Sequence, residues 1–271
     1  MTLNRELLET IIRATSSDAI ARNLHVFDTV PSTNQTLWEL LAQGAEPGTI
    51  VIAQEQTSGR GQWGRQWVSP VGGLYLSQAI APQLPVSHSF HLTLATAWGI
   101  ASQFRICGIP VGIKWPNDLV INNRKLGGIL TETKIQQEKI TTAVVGVGIN
   151  WANSVPETGI NLQSWQTESG LVSIDSLEML VVITLRGIHS GWQRYSSEGV
   201  NDLLPAYLEL LTSMGQKLTI NHNSGIVVGV TPTGELRVQN SERSPSNSQT
   251  NPEEICCPPG TISLGYDKSS D

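Results

Sequence analysis

Residues 56–65 have the sequence QTSGRGQWGR, and they follow a short apolar run, Ile50–Ala53, that is typical of a buried strand. Glycines allow backbone N–H groups to approach an anion closely, and Arg60 and Arg65 add permanent positive charge with several donors for a carboxylate or a phosphate. The segment has neither the strand–GxGxxG–helix context of a dinucleotide fingerprint nor the Gly-Lys-Ser/Thr end of a P-loop. It predicts a site for a small anion, although the glycine spacing alone is equally compatible with a solvated surface loop.

Three later segments place cations or amides at strand ends or beside glycines. Lys114–Asp118 (KWPND) follows a predicted strand that the proline ends, so that a cation, an amide and a carboxylate share one turn. Lys125 precedes Gly127-Gly128, and Gly146–Asn150 (GVGIN) ends a glycine-bearing strand on an amide that could bind a nucleotide base. Glycine inside a strand often marks a close backbone approach to a ligand. Each segment alone is also compatible with an ordinary turn, hairpin or bulge.

Composition and charge limit the kind of ligand. The chain has 271 residues, with 17 Lys and Arg against 23 Asp and Glu, so its formal net charge is −6. A nucleic-acid-binding protein needs a basic face, which this balance argues against, whereas a few local cations suffice for a small anion. His88 and His91 have no third ligand nearby, and we expect them to be solvated or to cap a helix rather than to bind a metal.

The cysteines and the N-terminus indicate a cytoplasmic protein. Cys107, Cys256 and Cys257 form neither a disulfide framework nor a zinc pattern, which favours a reducing compartment. Residues 1–21 lack the uninterrupted apolar region of a signal peptide, and no stretch approaches the roughly 20 apolar residues of a membrane span.

Helical and strand patterns alternate through most of the chain. Ser32 and Gln35 fit a capping box that opens a helix ending at Gly44, and Asn122-Asn123 is typical of a hairpin turn. The other helices are predicted over 3–14, 88–106, 176–195 and 201–214. The strands before residue 216 are predicted near 26–30, 50–53, 74–76, 111–115, 119–121, 126–131 and 140–150.

The pattern changes at Lys217 to short strands separated by Gly, Pro and Asn, as in a small β-barrel. These strands are predicted at 218–220, 226–230, 236–238 and 262–264. Residues 241–252 (SERSPSNSQTNP) have almost no apolar content and are expected to form a mobile loop. The predicted organisation is an N-terminal helical extension over 1–25, a catalytic domain over 26–215 and a C-terminal β domain over 216–271.

Together and in this order, the segments resemble the biotin–protein ligase (biotin–[acetyl-CoA-carboxylase] ligase) family. The resemblance begins near Val26 and weakens in the C-terminal domain. The matching pieces are Ser32-Thr33-Asn34, Gln56 with Gly59–Arg65, Arg65–Pro70, Lys114–Asp118, Lys125–Leu130 and Gly146–Asn150.

The resemblance implies an α+β fold, in which a mixed-sheet catalytic domain of the biotin/lipoate ligase type, similar to class II synthetases, precedes a small SH3-like β-barrel. It also implies a reaction in two steps. Biotin and ATP, with Mg²⁺, form biotinyl-5′-adenylate and pyrophosphate. A lysine of a biotin carboxyl carrier protein, of the acetyl-CoA carboxylase type, then attacks the mixed anhydride.

The family resemblance also implies roles for individual residues. The catalytic group would be Arg60, Lys114, Asp118 and Lys125. The biotin-binding group would be Ser32, Thr33, Asn34, Gln56, Arg60, Gly61, Gln62, Lys125, Gly127 and Gly128. The ATP and adenylate group would be Arg60, Arg65, Trp67, Lys114, Asn117, Asp118, Lys125 and Asn150. Asp118 would reach a metal only indirectly, through Mg-ATP.

The sequence departs from the family pattern in three places. Gln62 stands where the family often has a further basic residue, and Gly260–Gly265 (GTISLG) replaces the usual Gly-Glu-apolar-Ser-Leu-Arg. Too few residues precede Phe27 for the winged helix that binds an operator in some members. We therefore expect a ligase with no repressor function and no DNA or membrane partner. Strands such as 140–150 could pair across a homodimer.

Three alternative functions stay open at this point. A lipoate–protein ligase shares the fold and the adenylation chemistry, but its typical Arg-Arg-x-x-Gly-Gly run is absent. A non-catalytic module that sequesters biotin or a nucleotide would not need Lys114, Asp118 and Lys125 together. An operator-binding regulator would be retained on DNA in a salt-dependent manner.

Overall fold

The computed structural model describes residues 3–15, 23–220, 223–240, 254–262 and 264–266. The predicted loop 241–252 lies outside these residues. The α-helices are α1 (Arg5–Thr15), α2 (Thr33–Ala42), α3 (Ser89–Ile106), α4 (Leu162–Ser169), α5 (Leu177–Glu198) and α6 (Val200–Glu209). The strands are β1 (Leu24–Val30), β2 (Ile50–Gln56), β3 (Leu74–Ile80), β4 (Leu84–Pro85), β5 (Gly112–Lys114), β6 (Asp118–Ile121), β7 (Arg124–Gln136), β8 (Lys139–Ile149), β9 (Lys217–Ile220), β10 (Asn223–Val230), β11 (Leu236–Asn240) and β12 (Glu254–Cys257).

The larger sheet is mixed, as the family resemblance implied. Its strand order is β1-β2-β3-β8-β7-β6-β5, and β4 adds to β8. The β1–β2 pair is parallel and the other pairs are antiparallel. Strand β8 pairs with β3 and β4 on one side and with β7 on the other. The expectation that 140–150 offers an exposed strand for dimer pairing is therefore wrong, because both edges of this strand are already bonded.

Helices cover both faces of the sheet. Ile50 and Ile52 belong to a large buried cluster that includes α3 and α5, whereas Val51 packs with Leu37 of α2 in a separate cluster. Successive residues of a strand point to opposite faces, so a strand covered on both sides is continuously apolar. This arrangement explains the apolar run that precedes the glycine-rich loop.

Helices α3 and α5 pack closely because glycines face each other. A Cβ at Gly99 would overlap the carbonyl of Gly187, and a Cβ at Gly191 would overlap the carbonyl of Ala95. Within the part of the chain that the structure describes, no helix is long and apolar enough to cross a membrane.

Two local predictions were wrong. Ser32 occupies the N-cap position of α2, but its side chain makes no capping hydrogen bond, and Gln35 bonds Glu39 instead, so there is no capping box. Helix α6 ends at Glu209 rather than at 214. The backbone beyond it pairs with β5, where Ile113 N donates to Leu210 O at 2.7 Å and so covers the edge of the sheet.

The second sheet is antiparallel, with the order β12-β11-β10-β9. This small sheet is consistent with the predicted SH3-like domain. The strand predicted at 262–264 is wrong, since Ile262 and Leu264 lie outside any strand, and the unpredicted β12 pairs with β11 on the side away from β10. Val227 and Val238 join the large buried cluster, so this sheet shares apolar core with the rest of the chain.

A buried histidine on α3 also links the helices to the second sheet. His91 Nδ1 lies 2.9 Å from Tyr195 Oη, and His91 Nε2 lies 2.8 Å from the carbonyl of Pro232, which follows β10. The expectation of a solvated or capping role is therefore wrong for His91. Its two ring nitrogens are instead satisfied by partners from α5 and from the second sheet.

Candidate active site

A cavity of about 160 Å³ opens where strand ends, the glycine-rich loop and the C-terminal segment meet. Most of the predicted site residues line it. They are Ser32, Thr33, Asn34, Gln56, Arg60, Gly61, Gln62, Arg65, Trp67, Lys114, Asn117, Asp118, Lys125 and Gly128. Segments far apart in sequence therefore contribute to one site.

Two predicted residues are not part of the cavity wall. Gly127 lies behind it, where an added Cβ would come within 2.6 Å of the carbonyl of Gly148. Asn150 is buried, with its amide nitrogen 3.2 Å from the carbonyl of Lys125 and its amide oxygen 3.0 Å from Asn153 Nδ2. In this structure Asn150 therefore supports the backbone of Lys125 rather than facing a ligand.

One end of the cavity is a neutral network of hydrogen bonds. Gln56 Oε1 accepts from the backbone N–H of Thr33 at 2.8 Å, and Gln56 Nε2 donates to Ser69 Oγ at 2.8 Å. Ser77 Oγ donates to Asn34 Oδ1 at 2.6 Å and lies 2.7 Å from Thr33 Oγ1. The network fixes the orientations of these polar groups before a ligand arrives. Sequence reasoning missed Ser69 and Ser77, because single serines in β-rich stretches carry no signal of their own.

The other end carries the cations. Lys125 Nζ forms an ion pair with Asp118 Oδ1 at 2.7 Å, and the side chains of these two residues are 28% and 16% exposed. Lys114 Nζ lies 3.2 Å from the centroid of the Tyr266 ring and donates to the carbonyl of Gly265. This end therefore suits a ligand of high negative charge.

The turn that carries Asp118 is anchored on two sides. Tyr207 Oη donates to the carbonyl of Pro116 at 3.1 Å. Asn117 Nδ2 donates to the carbonyl of Ile129 at 2.6 Å, and Ile129 N donates back to the carbonyl of Asn117 at 3.1 Å. These bonds hold the turn against β7 and so fix Asp118 next to Lys125.

Trp67 forms a wall between the two ends. Its ring centroid lies 5.2 Å from Lys125 Nζ, and an added Cβ at Gly148 would come within 2.5 Å of its Nε1. The glycine-bearing strand β8 is therefore needed to make room for this indole. Trp67 Nε1 and Gln62 Oε1 are buried and have no hydrogen-bond partner within the described residues. Because buried polar atoms are normally bonded, both are available to a ligand.

The glycine-rich loop is held in an uncommon backbone conformation. Trp63 has φ 54° and ψ 40°, in the left-handed region that residues other than glycine rarely adopt. An added Cβ at Gly59 would overlap the carbonyl of Trp67, so the loop folds back closely on itself there. Such conformations concentrate at ligand-binding loops.

The C-terminal segment completes the cavity, which the sequence analysis did not predict. Tyr266 donates a hydrogen bond to Asp118 Oδ2. Burial, followed by the nearby charge of Asp118, raises the pKa of the Tyr266 phenol far above its usual value, so the phenol stays protonated and remains a donor. No sequence signal marks this residue, because the family pattern ends just before it.

A mixed sheet that carries a neutral subsite and a cationic subsite at its strand ends defines an α+β domain of the biotin/lipoate ligase type. A family model described as the biotin/lipoate A/B protein ligase family matches residues 26–150. The bifunctional ligase/repressor BirA of Escherichia coli strain K12 is 31% identical over 222 residues, which is 79% of this chain and 68% of that protein. The chain belongs to the biotin/lipoate A/B protein ligase family.

Two further comparisons extend the likeness. The bifunctional ligase/repressor BirA of Bacillus subtilis strain 168 is 36% identical over 136 residues, and the match spans 49% of this chain but only 42% of that protein. The biotin protein ligase of Aquifex aeolicus in complex with biotin and ATP superposes with a TM-score of 0.69 at 26% identity, over 91% of this chain and 100% of that one.

Proposed function

We propose that the protein is an ATP-dependent biotin–protein ligase. The observation that carries this proposal is one cavity with a neutral hydrogen-bonding end at Thr33 and Gln56 and a cationic end at Lys114 and Lys125. The first end suits the ureido head of biotin, which both donates and accepts hydrogen bonds. The second suits the phosphates of ATP. The similar protein from Aquifex aeolicus, whose structure holds biotin and ATP, supports these two molecules as the ligands.

In the first step, a carboxylate oxygen of biotin forms a bond to the α-phosphorus of ATP. The bond from that phosphorus to the bridging oxygen breaks, and pyrophosphate leaves with the electron pair. The two reactants are both anions, so cations between them reduce their repulsion and stabilise the charge that develops on the phosphoryl oxygens. Arg60, Lys114 and Lys125 are placed for this role, and Trp67 shields the mixed anhydride from water.

In the second step, the amine of a carrier lysine attacks the carbonyl carbon of biotinyl-5′-adenylate. The new amide forms, the carbonyl–oxygen bond to AMP breaks with its electron pair leaving on AMP, and the amine proton passes to solvent water. Asp118 orients the incoming amine at the adenylate. The acceptor that we propose is a biotin carboxyl carrier protein or domain, of the acetyl-CoA carboxylase type.

In the proposed reaction, Mg²⁺ binds together with ATP. No group of three or more His, Cys, Asp or Glu able to hold a metal occurs among the described residues. A single carboxylate at the cationic end, Asp118, nevertheless fits the ion, because nucleotide-bound Mg²⁺ takes most of its ligands from phosphates and water. Asp118 would then contact the Mg²⁺ of ATP indirectly and help to orient the phosphates.

The proposal also includes a cytoplasmic location, the absence of a DNA partner and the surface that a homodimer would use. Three free cysteines, Cys107, Cys256 and Cys257, support a cytoplasmic protein. The net charge of −6 supports a ligase that acts without DNA. A homodimer would use a surface other than 140–150. Retention on DNA that weakens with added salt would contradict the proposed absence of repressor function.

One experiment tests the central proposal against the lipoate ligase and the sequestering module. The purified protein receives ATP, Mg²⁺, a biotin carboxyl carrier domain and either biotin or lipoate, and the intact mass of the carrier is measured. We expect the mass of one biotinyl group with biotin and no change with lipoate. A gain with lipoate alone would replace the proposal with a lipoate ligase. Binding of biotin without pyrophosphate release or mass gain would favour the sequestering module.

A further inference from the structure

The Arg60 guanidinium is ion-paired with a carboxylate that the sequence analysis did not select. Arg60 Nη1 lies 3.1 Å from Glu132 Oε1, and Arg60 Nη2 donates to Glu132 Oε2 at 3.2 Å. The pair therefore has a two-pronged geometry, which fixes the plane of the guanidinium as well as its position. Glu132 is in β7, and 72 residues separate it from Arg60.

Glu132 is itself held by neutral donors from α2. Asn34 Nδ2 donates to Glu132 Oε2 at 2.9 Å, and Trp38 Nε1 donates to the same oxygen at 3.2 Å. Asn34 is fixed in turn by the hydrogen bond from Ser77. The carboxylate is thus oriented by rigid elements, and it connects them to a loop rich in glycine.

Two opposite effects of Glu132 are conceivable. Its negative charge could compete with the ligand for Arg60, or its carboxylate could hold Arg60 in the orientation that binds the ligand. Arg60 lines the cavity, whereas Glu132 does not line it and contacts the lining residues Arg60 and Asn34 instead, which favours the second effect. A two-pronged pair uses two of the five guanidinium N–H groups and leaves three for the ligand.

We propose that Glu132 is a positioning residue for the adenylation step: it aims Arg60 at the anionic reactants. This inference rests on the proposed function, because the anions in question are the biotin carboxylate and the α-phosphate. Among the described residues, the Arg60–Glu132 pair is the salt bridge that ties the loop of residues 57–66 to the sheet. Without it, the glycines would allow the arginine to sample many orientations.

The substitution Glu132→Gln tests the proposal kinetically. It keeps the side-chain shape and an acceptor for Asn34 and Trp38, but it removes the charge that holds Arg60. Because the ion pair that orients Arg60 is lost, we expect the KM for biotin to rise about tenfold, with a smaller rise in the KM for ATP, whose phosphates also meet Lys114 and Lys125. The matched control is Glu138→Gln, which makes the same change of charge at the exposed turn between β7 and β8.

An unchanged or lowered KM for biotin in Glu132→Gln would overturn the proposal, and a lowered value would show that the carboxylate competes with the ligand. A rise that Glu138→Gln reproduces would overturn it as well, because the effect would then come from net charge. Equal thermal unfolding midpoints for the two variants would show that the fold is intact in both.

A second readout does not depend on activity. Trypsin cleaves after Arg60 when the loop can leave the sheet, so we expect the ligand-free Glu132→Gln protein to be cut there about tenfold faster than the wild type. Cleavage after Arg13, whose side chain is 62% exposed on α1, is the internal reference. Equal cleavage after Arg60 in both proteins would overturn the proposal. If the wild type released no pyrophosphate with biotin, the proposed function would fail, while this readout would still decide whether Glu132 holds Arg60.

Discussion

Lys125 Nζ and Asp118 Oδ1 are 2.7 Å apart because two neighbouring strands bring their backbones side by side. Asp118 opens β6 and pairs in register with Gly128 of β7, three residues beyond Lys125. The turn between these strands is Asn122-Asn123, whose φ angles of 49° and 56° are those of a tight hairpin. A local turn therefore sets the distance between the two charges on which the proposed adenylation depends.

The first prediction concerns Lys125. Replacement by Met keeps much of the side-chain volume but removes the cation that stabilises charge on the phosphoryl group. We expect the rate of biotin-dependent pyrophosphate release to fall by at least about 100-fold, which a coupled pyrophosphate assay would measure. Lys134→Met, at an exposed position of the same strand, is the control and should keep normal turnover. Near-normal turnover in Lys125→Met would show that this lysine has no role in the reaction.

The second prediction uses the contact between Gly148 and Trp67. A methyl group at Gly148 would come within 2.5 Å of Trp67 Nε1, so Gly148→Ala should push the indole off the cavity wall. We expect the variant to release biotinyl-5′-adenylate into solution several-fold faster, because the shielding wall is displaced. Chromatography of the reaction mixture without carrier would measure this.

Gly128→Ala is the comparison for Gly148→Ala. Its added methyl group would come within 3.3 Å of Asp118 Oδ1, which is a milder contact than the 2.5 Å at Trp67 Nε1. We expect a smaller effect on adenylate release there. Equal release from both variants would argue against a specific role for Trp67 as a shield.

The third prediction concerns Tyr266. Its phenol bonds Asp118 and its ring lies against Lys114, two residues proposed to face the nucleotide. Because these contacts occupy two groups proposed to bind ATP, we expect Tyr266→Ala to lower the KM for ATP by up to about tenfold. Tyr266→Phe, which removes only the hydroxyl, should give part of that change. A higher KM for ATP in both variants would instead make the phenol part of the nucleotide site.

Sequence patterns predicted the features of this molecule that depend on residues close together in the chain. The buried strand at Ile50–Ala53 and the turn at Asn122-Asn123 follow from a continuous apolar run and from turn chemistry. Arg60, Lys114 and Lys125 were found because they stand at strand ends or beside glycines, whereas the family resemblance supplied others, such as Ser32, Thr33 and Asn34. The pair of Arg60 and Glu132 could not be found in this way, since only the tertiary fold brings the two residues together.

One of the errors has the same physical origin. Asn150 was expected at a ligand because it ends a glycine-bearing strand, yet its amide is used by the backbone of Lys125 and by Asn153. Ser32 has the residue type of a helix cap, but it lines the cavity instead. For Asn150, long-range partners outweigh a local preference, and periodicity contains no information on such partners.

The fourth prediction concerns the contact between α3 and α5. Gly191→Ala would place a methyl group on the carbonyl of Ala95. This is a backbone atom of α3, so it can move away only if the helix itself shifts. Overpacking of this kind costs about 1–3 kcal/mol, so we expect the free energy of unfolding to fall by about that amount in urea titrations. Ser190→Ala, one residue earlier on the same helix, is the control and should change stability by no more than about 0.5 kcal/mol. Unchanged stability in Gly191→Ala would mean that the helices separate easily.

The fifth prediction concerns pH and the buried His91. Desolvation lowers the pKa of His91 below its ordinary value of 6.5, against an opposing hydrogen bond to the Pro232 carbonyl and with a smaller lowering contribution from His88. The unfolded chain therefore binds more protons than the folded chain between the lowered pKa and 6.5. The stability that the neutral ring contributes is fully present above pH 6.5 and is lost as the pH falls towards the folded-state pKa.

The groups that face this ring are His88 on the segment before α3, Tyr195 on α5 and the Pro232 carbonyl after β10. We expect urea titrations to show a free energy of unfolding that decreases from pH 7.5 to pH 5 in the wild type, and less steeply in His91→Phe. His88→Gln keeps His91 and should retain most of the wild-type slope. If His91→Phe and the wild type lost stability in parallel over this range, the titration of other groups, and not of His91, would control the acid sensitivity of the fold.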